Sequence, residues 1–526
     1  MFVFVANCCP SLRRGLWGLF LFLTLLTAPN LATAASSRSL SLRQVLQELL
    51  QRNPSLRRER LTLQQSDADI LIAKGAFGFD LSLNLDLNHN ATPPRLSNSV
   101  LGLAEITADS WSLNGGVELT KLFETGTVLK ASFTQGWNLQ NSLFKVLDVN
   151  NIPERQQQSE GANSRLSLSV VQPLLKGAWS TFNLIPVWQA QEQRKIAREQ
   201  IRNSINQLVG QAVRAYWDLI YARKFLDIQK SNFKLAQEQL KSTKAFIQSG
   251  KVAALERFQV EQVIAARRLD LLTAKDSVDR AEVVLKQLLF LPPAQRITPQ
   301  GFPARAGDFG SLTSLLAKTR KRNSQLLVAE YQKRIARLNV RSAKNGMLPK
   351  LDLTANFTLL GQGNARDSKN GGVQVLGNSL GTMIDPRSHD FRLGVVLTIP
   401  LDQRAAKNRL TRSRIETHRA RLLVKLLRRQ LDNEIGQLFR QVKRIEKRLP
   451  LARISIDWAR KKLSAEQEKY KAGKSTLSTI LQYQQDLAQA RLVFLKNRVD
   501  VQKARCSLFE KIGTLLDRYG IGRLAR

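Results

Sequence analysis

In the C-terminal part of the chain, apolar residues recur at steps of three and four, which is the pattern of an amphipathic helix. One apolar stripe consists of Leu423, Leu427, Leu431, Ile435, Leu438, Val442, Ile445 and Leu449. A second stripe consists of Leu477, Leu481, Leu487, Leu492, Leu495 and Val499. The spacing predicts a helical hairpin over residues 402–516. Its first helix, from Asp402 to Lys471, would be about 100 Å long at ~1.5 Å per residue.

The turn of this hairpin is predicted at Tyr470-Lys471-Ala472-Gly473-Lys474. Gly473 stands where a helix C-terminus needs a residue that tolerates positive φ, and Ser475 or Thr476 could cap the next helix. A matching hairpin is predicted over residues 187–289, where Gly250 interrupts the first helix. Each hairpin therefore ends in a glycine tip.

Elsewhere the pattern changes to strict alternation, which predicts β-strands. Leucine occupies every second position of the first run, at Leu81, Leu83, Leu85 and Leu87, with polar residues between. Such a strand fits either a half-buried position in a sandwich or a membrane barrel with lipid on one side and water on the other. Residues 165–174 give its partner strand, and a further hairpin is predicted at 111–137 around a turn at Glu124-Thr125-Gly126. Residues 90–110 and 138–163 are predicted to be polar loops.

The chain contains an internal repeat with an offset of about 270 residues. Ser311 matches Ser41, Asn323 matches Asn53, and Leu351 matches Leu81 without a gap. The first repeat, 35–293, is predicted to contain helices at 41–75, strands within 77–174 and the hairpin at 187–289. The second, 311–526, would contain helices at 311–345, strands at 351–400 and the hairpin at 402–516. Residues 294–310 are the predicted linker.

Residues 1–34 have the features of a secretory signal peptide. Arg13 and Arg14 precede an uncharged stretch from Gly15 to Ala28, and Ala32-Thr33-Ala34 supplies a cleavage site. The mature chain is therefore expected to be exported. It would retain only Cys506, which excludes an intramolecular disulfide and is more typical of a small buried residue than of a reactive thiol.

The composition and motifs argue against catalysis and nucleic-acid binding. The three histidines are scattered, and no metal-binding, nucleophile-elbow or phosphate-loop motif occurs, so no cofactor or metal is expected. The net charge of +39 could neutralise phosphates. However, an exported chain seldom meets DNA, and its basic residues are not interleaved with stacking aromatics.

The order of these elements resembles that of TolC-family outer-membrane efflux proteins over nearly the whole mature length. The resemblance rests on Asn53-Pro54, on strand ends such as Gln172-Pro173-Leu174-Leu175 and Ile399-Pro400-Leu401, and on Pro450-Leu451-Ala452 before the Tyr470 and Gly473 turn. It implies an α+β membrane protein: a trimer with a 12-stranded β-barrel, four strands from each chain, continued by a periplasmic α-helical barrel. The hairpin at 111–137 exceeds this pattern and is expected to extend above the membrane rather than to join a larger barrel.

The same resemblance implies an outer-membrane exit duct that reaches into the periplasm and docks onto an adaptor protein and an inner-membrane transporter. The duct would be passive because the chain has no nucleotide site. The alternative is a periplasmic coiled-coil adaptor or scaffold without a membrane pore. Such a protein would share the helical hairpins but would lack duplicated, lipid-compatible strands.

The resemblance also assigns candidate site residues. The tips at Gly250, Tyr470 and Gly473 would meet the adaptor, although a plain helix C-cap explains the glycines equally well. Some relatives close the tunnel with aspartate rings just past the second tip. Here Thr479 and Gln482 occupy that stretch, and the first repeat offers Glu256 and Glu261 instead. Glu256 is a candidate constriction residue or a solvated helix residue.

The last candidate surface is a basic stripe that consists of Lys407, Arg414, Arg421 and Arg428. Because these residues lie seven apart, they share one helix face, opposite the leucine cluster at 422–427. A weaker equivalent in the first repeat consists of Arg194, Lys195, Arg198 and Arg202. The stripe could be a solvated face, a collar for anionic lipid head groups or a positive tunnel lining that attracts anions.

Overall fold

The computed structural model describes residues 38–99, 102–146, 155–250, 252–301, 310–364, 372–385 and 387–521. The signal peptide predicted at 1–34 lies outside these residues. The helices are α1 (Leu42–Arg52), α2 (Pro54–Gly75), α3 (Ser180–Asn183), α4 (Ile185–Gln248), α5 (Glu256–Leu289), α6 (Leu312–Arg322), α7 (Ser324–Asn345), α8 (Val373–Met383), α9 (Arg404–Lys471), α10 (Leu477–Ile512) and α11 (Leu515–Arg518). The fold is thus mostly helical, with two hairpins of long helices, α4–α5 and α9–α10.

The strands form one large sheet and one small one. They are β1 (Arg38–Leu40), β2 (Phe79–Ser99), β3 (Gly102–Leu122), β4 (Val128–Val146), β5 (Arg155–Pro173), β6 (Ile297–Pro299), β7 (Lys350–Asn364) and β8 (His389–Thr398). The large sheet is antiparallel in the order β2-β3-β4-β5-β7-β8, and β1 pairs with β6 in parallel. Strands β2 and β8 are therefore its open edges.

The structure corrects three predictions about the strands. It has six strands rather than four, because the hairpin predicted at 111–137 belongs to β3 and β4, which pair with β2 and β5 along their lengths. The predicted loops at 90–110 and 138–163 are mostly strand. Their apolar residues are sparse and change from one face to the other, as Leu139 and Phe144 do on β4, so they do not continue the alternation of the inner parts of the strands. The predicted linker at 294–310 contains β6, which was too short to recognise.

The turn between β3 and β4 lies at the helical end of the sheet. Gly126 has a φ of +90°, and a Cβ there would lie 2.4 Å from the Gly177 carbonyl oxygen. The backbone N–H of Trp179 donates a hydrogen bond to the Thr125 carbonyl at 2.8 Å. The segment at 174–179 leads directly into α3 and α4. The end of β3 and the start of β4 therefore lie level with the helical ends of the other strands.

Equivalent contacts in the two halves confirm the internal repeat. Asn53 caps α2 through its side-chain oxygen, and its side-chain N–H donates to the Leu288 carbonyl at 3.2 Å, near the end of α5. Asn323 caps α7 in the same way and donates to the Lys511 carbonyl at 2.9 Å, near the end of α10. Each asparagine thus joins the start of a short helix to the end of a long hairpin.

The main core lies where the short helices pack on α4. Tyr216 and Trp217 are buried there among aliphatic residues of α1 and α5. The Tyr216 hydroxyl donates to the Leu40 and Gln300 carbonyls, at 3.2 and 2.8 Å, and so ties α4 to the small β1–β6 sheet. Burial raises the pKa of Tyr216 to about 12.

The polar segment at 361–387 contains a helix that the sequence did not predict. Helix α8 packs directly on β7, where Cβ atoms at Gly361 and Gly363 would lie 1.9 and 2.1 Å from the Ser379 and Val375 carbonyl oxygens. Ser379 also lies 2.8 Å from the Ser164 hydroxyl on β5. The two glycines therefore permit this close approach of helix to strand.

Candidate channel and docking surfaces

The six-stranded sheet has one apolar face and one polar face. Cross-strand pairs place apolar side chains side by side in rows across the sheet. One such row consists of Leu81, Leu119, Ala131, Leu168, Phe357 and Phe391, and the next consists of Leu83, Val117, Phe133, Leu166 and Leu359. Most of these side chains are exposed, Leu83 by 72% and Val117 by 41%. An exposed apolar band of this kind is typical of a lipid-facing barrel wall.

Between these rows, the opposite face is polar. The row that alternates with the two above consists of Ser82, Glu118, Ser132, Ser167, Thr358 and Asp390. The ammonium group of Lys130 lies 2.9 Å from the Glu118 carboxylate on this face. The sheet can therefore separate lipid from water.

Aromatic residues mark the two ends of the apolar band on β2. At the helical end, the Lys121 ammonium lies 4.0 Å from the centre of the Phe79 ring. At the far end, the His89 and Trp111 rings stack with their centres 4.2 Å apart. Ten residues separate Phe79 from His89, about 33 Å of strand, or roughly 25 Å of height at a tilt of ~40°. This height matches the apolar band of an outer-membrane barrel.

The two hairpin tips lie side by side at the far end of the helices. Gly250 and Gly473 have φ values of +70° and +74°, so both glycines adopt the left-handed conformation predicted for them. The Phe246 and Tyr470 rings meet edge to face with centres 5.9 Å apart. Burial and then the negative charge of Glu256 raise the pKa of Tyr470. The structure thus brings three predicted docking residues to one end of the molecule.

The candidate constriction residues do not form one acidic cluster. Glu256 begins α5 and is half-buried close to Tyr470. Thr479 lies in the first turn of α10, where its N–H donates to the capping Thr476 hydroxyl at 3.3 Å. Gln482 is exposed and donates to the Asp486 carboxylate at 3.1 Å. Of the three, only Glu256 carries a charge.

All four residues of the basic stripe are exposed on α9. The buried face of this part of α9 consists of Leu410, Thr417, Val424 and Leu431, each three residues after a member of the stripe. Leu422, Leu423 and Leu426 are exposed by 53%, 44% and 61%, so the leucine cluster is not the buried face in this chain. Arg428 of the stripe lies 3.7 Å from the Glu330 carboxylate, and in the first repeat Arg194 and Arg202 pair with Asp67 and Glu199.

Two long helices carry exposed apolar residues that, apart from Leu451, the sequence patterns did not indicate. On α5 these include Leu269 and Leu272, exposed by 66% and 55%. On α9 they include Leu451, Ile454 and Trp458, exposed by 66%, 50% and 65%. A second apolar stripe in the sequence of each helix could have indicated these residues. Such faces are typical of surfaces that another subunit covers.

Two features are absent from the residues that the structure describes. No helix in this part of the chain is long and apolar enough to cross a membrane. Within the same residues, no group of histidine, cysteine, aspartate and glutamate side chains could hold a metal ion.

Comparisons with known proteins agree with this architecture. The family model described as outer membrane efflux protein matches residues 154–289 and 315–514. The chain is 22% identical to the outer membrane efflux protein BepC of Brucella suis over 63% of this chain and 69% of BepC. It is also 22% identical to the outer membrane protein TolC of Escherichia coli, over 58% of this chain and 62% of TolC.

Solved structures show the same fold at low sequence identity. The outer-membrane channel OprN superimposes with a TM-score of 0.63 at 14% identity, covering 90% of this chain and 89% of OprN. VceC of Vibrio cholerae gives a TM-score of 0.61 at 14% identity over 90% of this chain and 96% of VceC. The predicted resemblance is confirmed: the chain belongs to the outer membrane efflux protein family, a family of non-enzymatic channels in the outer membrane.

Proposed function

We propose that three copies of this chain form a passive exit duct, which docks through its hairpin tips onto an adaptor protein and an inner-membrane transporter. The observation that carries the proposal is the six-stranded sheet with one apolar face and two open edges. Unpaired strand edges are not tolerated in lipid, so the edges β2 and β8 must be closed by other copies of the chain. Three is the number that the family resemblance implies.

The internal repeat supports closure into a ring. Within one chain, α4 of the first repeat packs against α7 and α10 of the second. The equivalent of α4 in the second repeat is α9, whose corresponding partners, α2 and α5, would belong to the next copy. The exposed apolar residues of α5 and α9 lie where this argument requires them. A contact between unlike surfaces generates a ring when its rotation closes.

The alternative of a periplasmic adaptor or scaffold fits the molecule less well. A water-soluble scaffold would expose the rows of apolar residues on all six strands to water. Soluble proteins rarely expose an apolar patch larger than a few hundred Å². In a channel the same rows would face lipid, so their apolar side chains would not be exposed to water. This difference favours the channel.

The docking assignment can be tested at Tyr470. Replacing it with aspartate would place a charge against the Phe246 ring and should disrupt the joint surface of the two tips. Tyr470→Phe keeps that ring contact and removes a hydroxyl oxygen that is buried without a hydrogen-bond partner. We expect both variants to assemble as trimers. Photo-crosslinking from position Lys471 in intact cells should capture a periplasmic adaptor in wild type and Tyr470→Phe, but not in Tyr470→Asp.

A crosslinker at Lys425, far along the same helix, serves as the control and should capture no adaptor. Equal capture from Lys471 in wild type and Tyr470→Asp would show that the adaptor binds elsewhere. Loss of the trimer in both variants would instead assign Tyr470 to assembly.

The tips are also the proposed constriction, with Glu256 as its carboxylate. Three copies of this side chain around one axis would attract divalent cations into the narrowest part of the duct. We therefore expect Glu256→Gln to relieve block by a divalent cation such as Mg²⁺ in single-channel recordings of the purified trimer. Strong block that survives this substitution would place Glu256 on a solvated face.

A further inference from the structure

We propose that the membrane barrel of this protein has eighteen strands, six from each chain, and that its passage is correspondingly wider than that of a twelve-stranded barrel. The inference rests on the proposed trimer and extends it, because strand number sets barrel width. The hairpin β3–β4 is the feature that decides the number.

The first argument is the pairing of the hairpin. Strand β3 pairs with β2 from Phe79↔Lys121 to Ser99↔Gly102, with one irregularity between Thr92 and Arg95. Strands β3 and β4 pair without interruption from Ala104↔Val146 to Leu122↔Val128. Strand β4 likewise pairs with β5 from Val128↔Val171 to Phe144↔Arg155. Neither strand could leave the wall without breaking a ladder on each side.

The second argument is the continuity of the two faces. The apolar rows pass from β2 through β3 and β4 to β5 in register, as in Leu83↔Val117 and Phe133↔Leu166. The polar row does the same through Glu118 and Ser132. A hairpin standing above the membrane would have no reason to keep an apolar face aligned with the lipid-facing rows of its neighbours.

The third argument is the position of the turn between β3 and β4. It lies at the helical end of the sheet, against Gly177 and Trp179. Both strands therefore cross the whole apolar band, from the level of Phe79 to that of Trp111. Strand tilt is constrained in a closed barrel, so diameter rises roughly in proportion to strand number, and eighteen strands give about one and a half times the width of twelve.

The extra strands also determine what lines the wider passage. Their inward residues are mostly small or uncharged and consist of Ser112, Asn114, Gly116, Glu118 and Thr120 on β3, and of Lys130, Ser132, Thr134, Gly136 and Asn138 on β4. The two charged residues among them, Glu118 on β3 and Lys130 on β4, form an ion pair and neutralise each other. A wide passage that is lined with hydroxyl and amide groups suits bulky, water-soluble cargo.

The experiment labels single cysteines with a charged, water-soluble maleimide in outer-membrane vesicles. Four variants on the lipid row are Leu83→Cys, Val117→Cys, Phe133→Cys and Leu166→Cys. Four on the lumen row are Ser82→Cys, Glu118→Cys, Ser132→Cys and Ser167→Cys. Burial raises the pKa of the native Cys506 thiol to about 12, so the wild-type protein should remain unlabelled and serves as the blank.

We expect the variants of β3 and β4 to behave as those of β2 and β5 do: lumen positions label at least ten times faster than lipid positions. Top-view imaging of the purified trimer should then show eighteen strands. Labelling at Val117→Cys and Phe133→Cys, with Leu83→Cys and Leu166→Cys protected, would overturn the eighteen-stranded barrel while leaving a channel. Labelling at all four lipid positions would instead overturn the membrane channel itself.

Discussion

At the residue scale, the two asparagines Asn53 and Asn323 perform the same double task in each repeat. The side-chain oxygen accepts from the first turn of a short helix, and the side-chain N–H donates to a carbonyl near the end of a long one. Both side chains are nearly buried. A buried backbone carbonyl that loses its donor destabilises a fold by roughly 1–3 kcal/mol, so each asparagine contributes more than an ordinary cap.

Two substitutions at Asn323 should separate these tasks. Asn323→Asp keeps the oxygen that accepts from the Leu326 N–H at 3.0 Å but loses the donor to the Lys511 carbonyl. Asn323→Ala loses both, and the missing cap alone should cost about 1 kcal/mol. We therefore expect the temperature at which the trimer dissociates in detergent to fall from wild type to Asp to Ala. An alanine variant as heat-stable as wild type would contradict the capping role.

At the element scale, the sequence predicted the helices and strands that have one apolar and one polar face, because such elements carry a regular spacing of apolar residues. Leu81 to Leu87 alternate because one side of β2 meets lipid, and the stripes of α9 and α10 repeat because one side packs on protein. The outer ends of β2 to β5 were mistaken for loops because their few apolar residues change face, as between Ile106 and Trp111 on β3, and so do not continue the alternation of the inner ends. Helix α8 was missed because its position depends on Gly361 and Gly363, which are distant contacts rather than a local pattern.

The candidate sites show the same difference between local patterns, which the sequence reveals, and distant contacts, which it does not. The glycine tips were predictable because positive φ is a local demand, and the structure has it at both positions. The contact of Phe246 with Tyr470 joins two hairpins that are far apart in sequence, so no local pattern could reveal it. The apolar stripe predicted on α9 is buried at Leu431, Ile435 and Val442, whereas Leu422, Leu423 and Leu426 are exposed in the single chain.

The contact between α5 and α9 of adjacent copies gives an element-scale prediction. Leu272 lies 16 residues after the start of α5 at Glu256, and Ile454 lies 17 residues before the end of α9 at Lys471, so the two should meet at about the same height. A chain carrying both Leu272→Cys and Ile454→Cys should form disulfide-linked dimers and trimers under mild oxidation.

The control pairs Leu272→Cys with Leu422→Cys, which is also exposed on α9. Leu422 lies roughly 50 Å farther along the helix, at ~1.5 Å per residue, and should not crosslink. Reducible oligomers from the control but not from the first pair would place the ring contact at a different height.

At the scale of the whole molecule, the excess positive charge is unevenly placed. Among the residues whose side chains the structure describes, the polar face of the sheet carries equal numbers of acidic and basic residues: Asp80, Asp86, Glu118, Asp352 and Asp390 against Arg95, Lys130, Arg165, Lys350 and Arg392. The first part of α9, just after the sheet, carries the exposed basic stripe instead. A closed trimer would thus place a barrel of balanced charge above a ring of exposed positive charge.

This arrangement predicts that the reconstituted channel prefers anions at low salt if the stripe faces the tunnel. The preference should fade as the Debye length shrinks from roughly 30 Å at 0.01 M to about 3 Å at 1 M. Replacing Arg414, Arg421 and Arg428 with glutamine should shift the reversal potential towards the value of a channel without ion selectivity. A control removes the same charge from the other side of the helix, at Arg409, Arg412 and Arg419, and should leave the potential unchanged. If only the control shifts it, the stripe lies on the outer face, where lipid head groups or solvent are its partners.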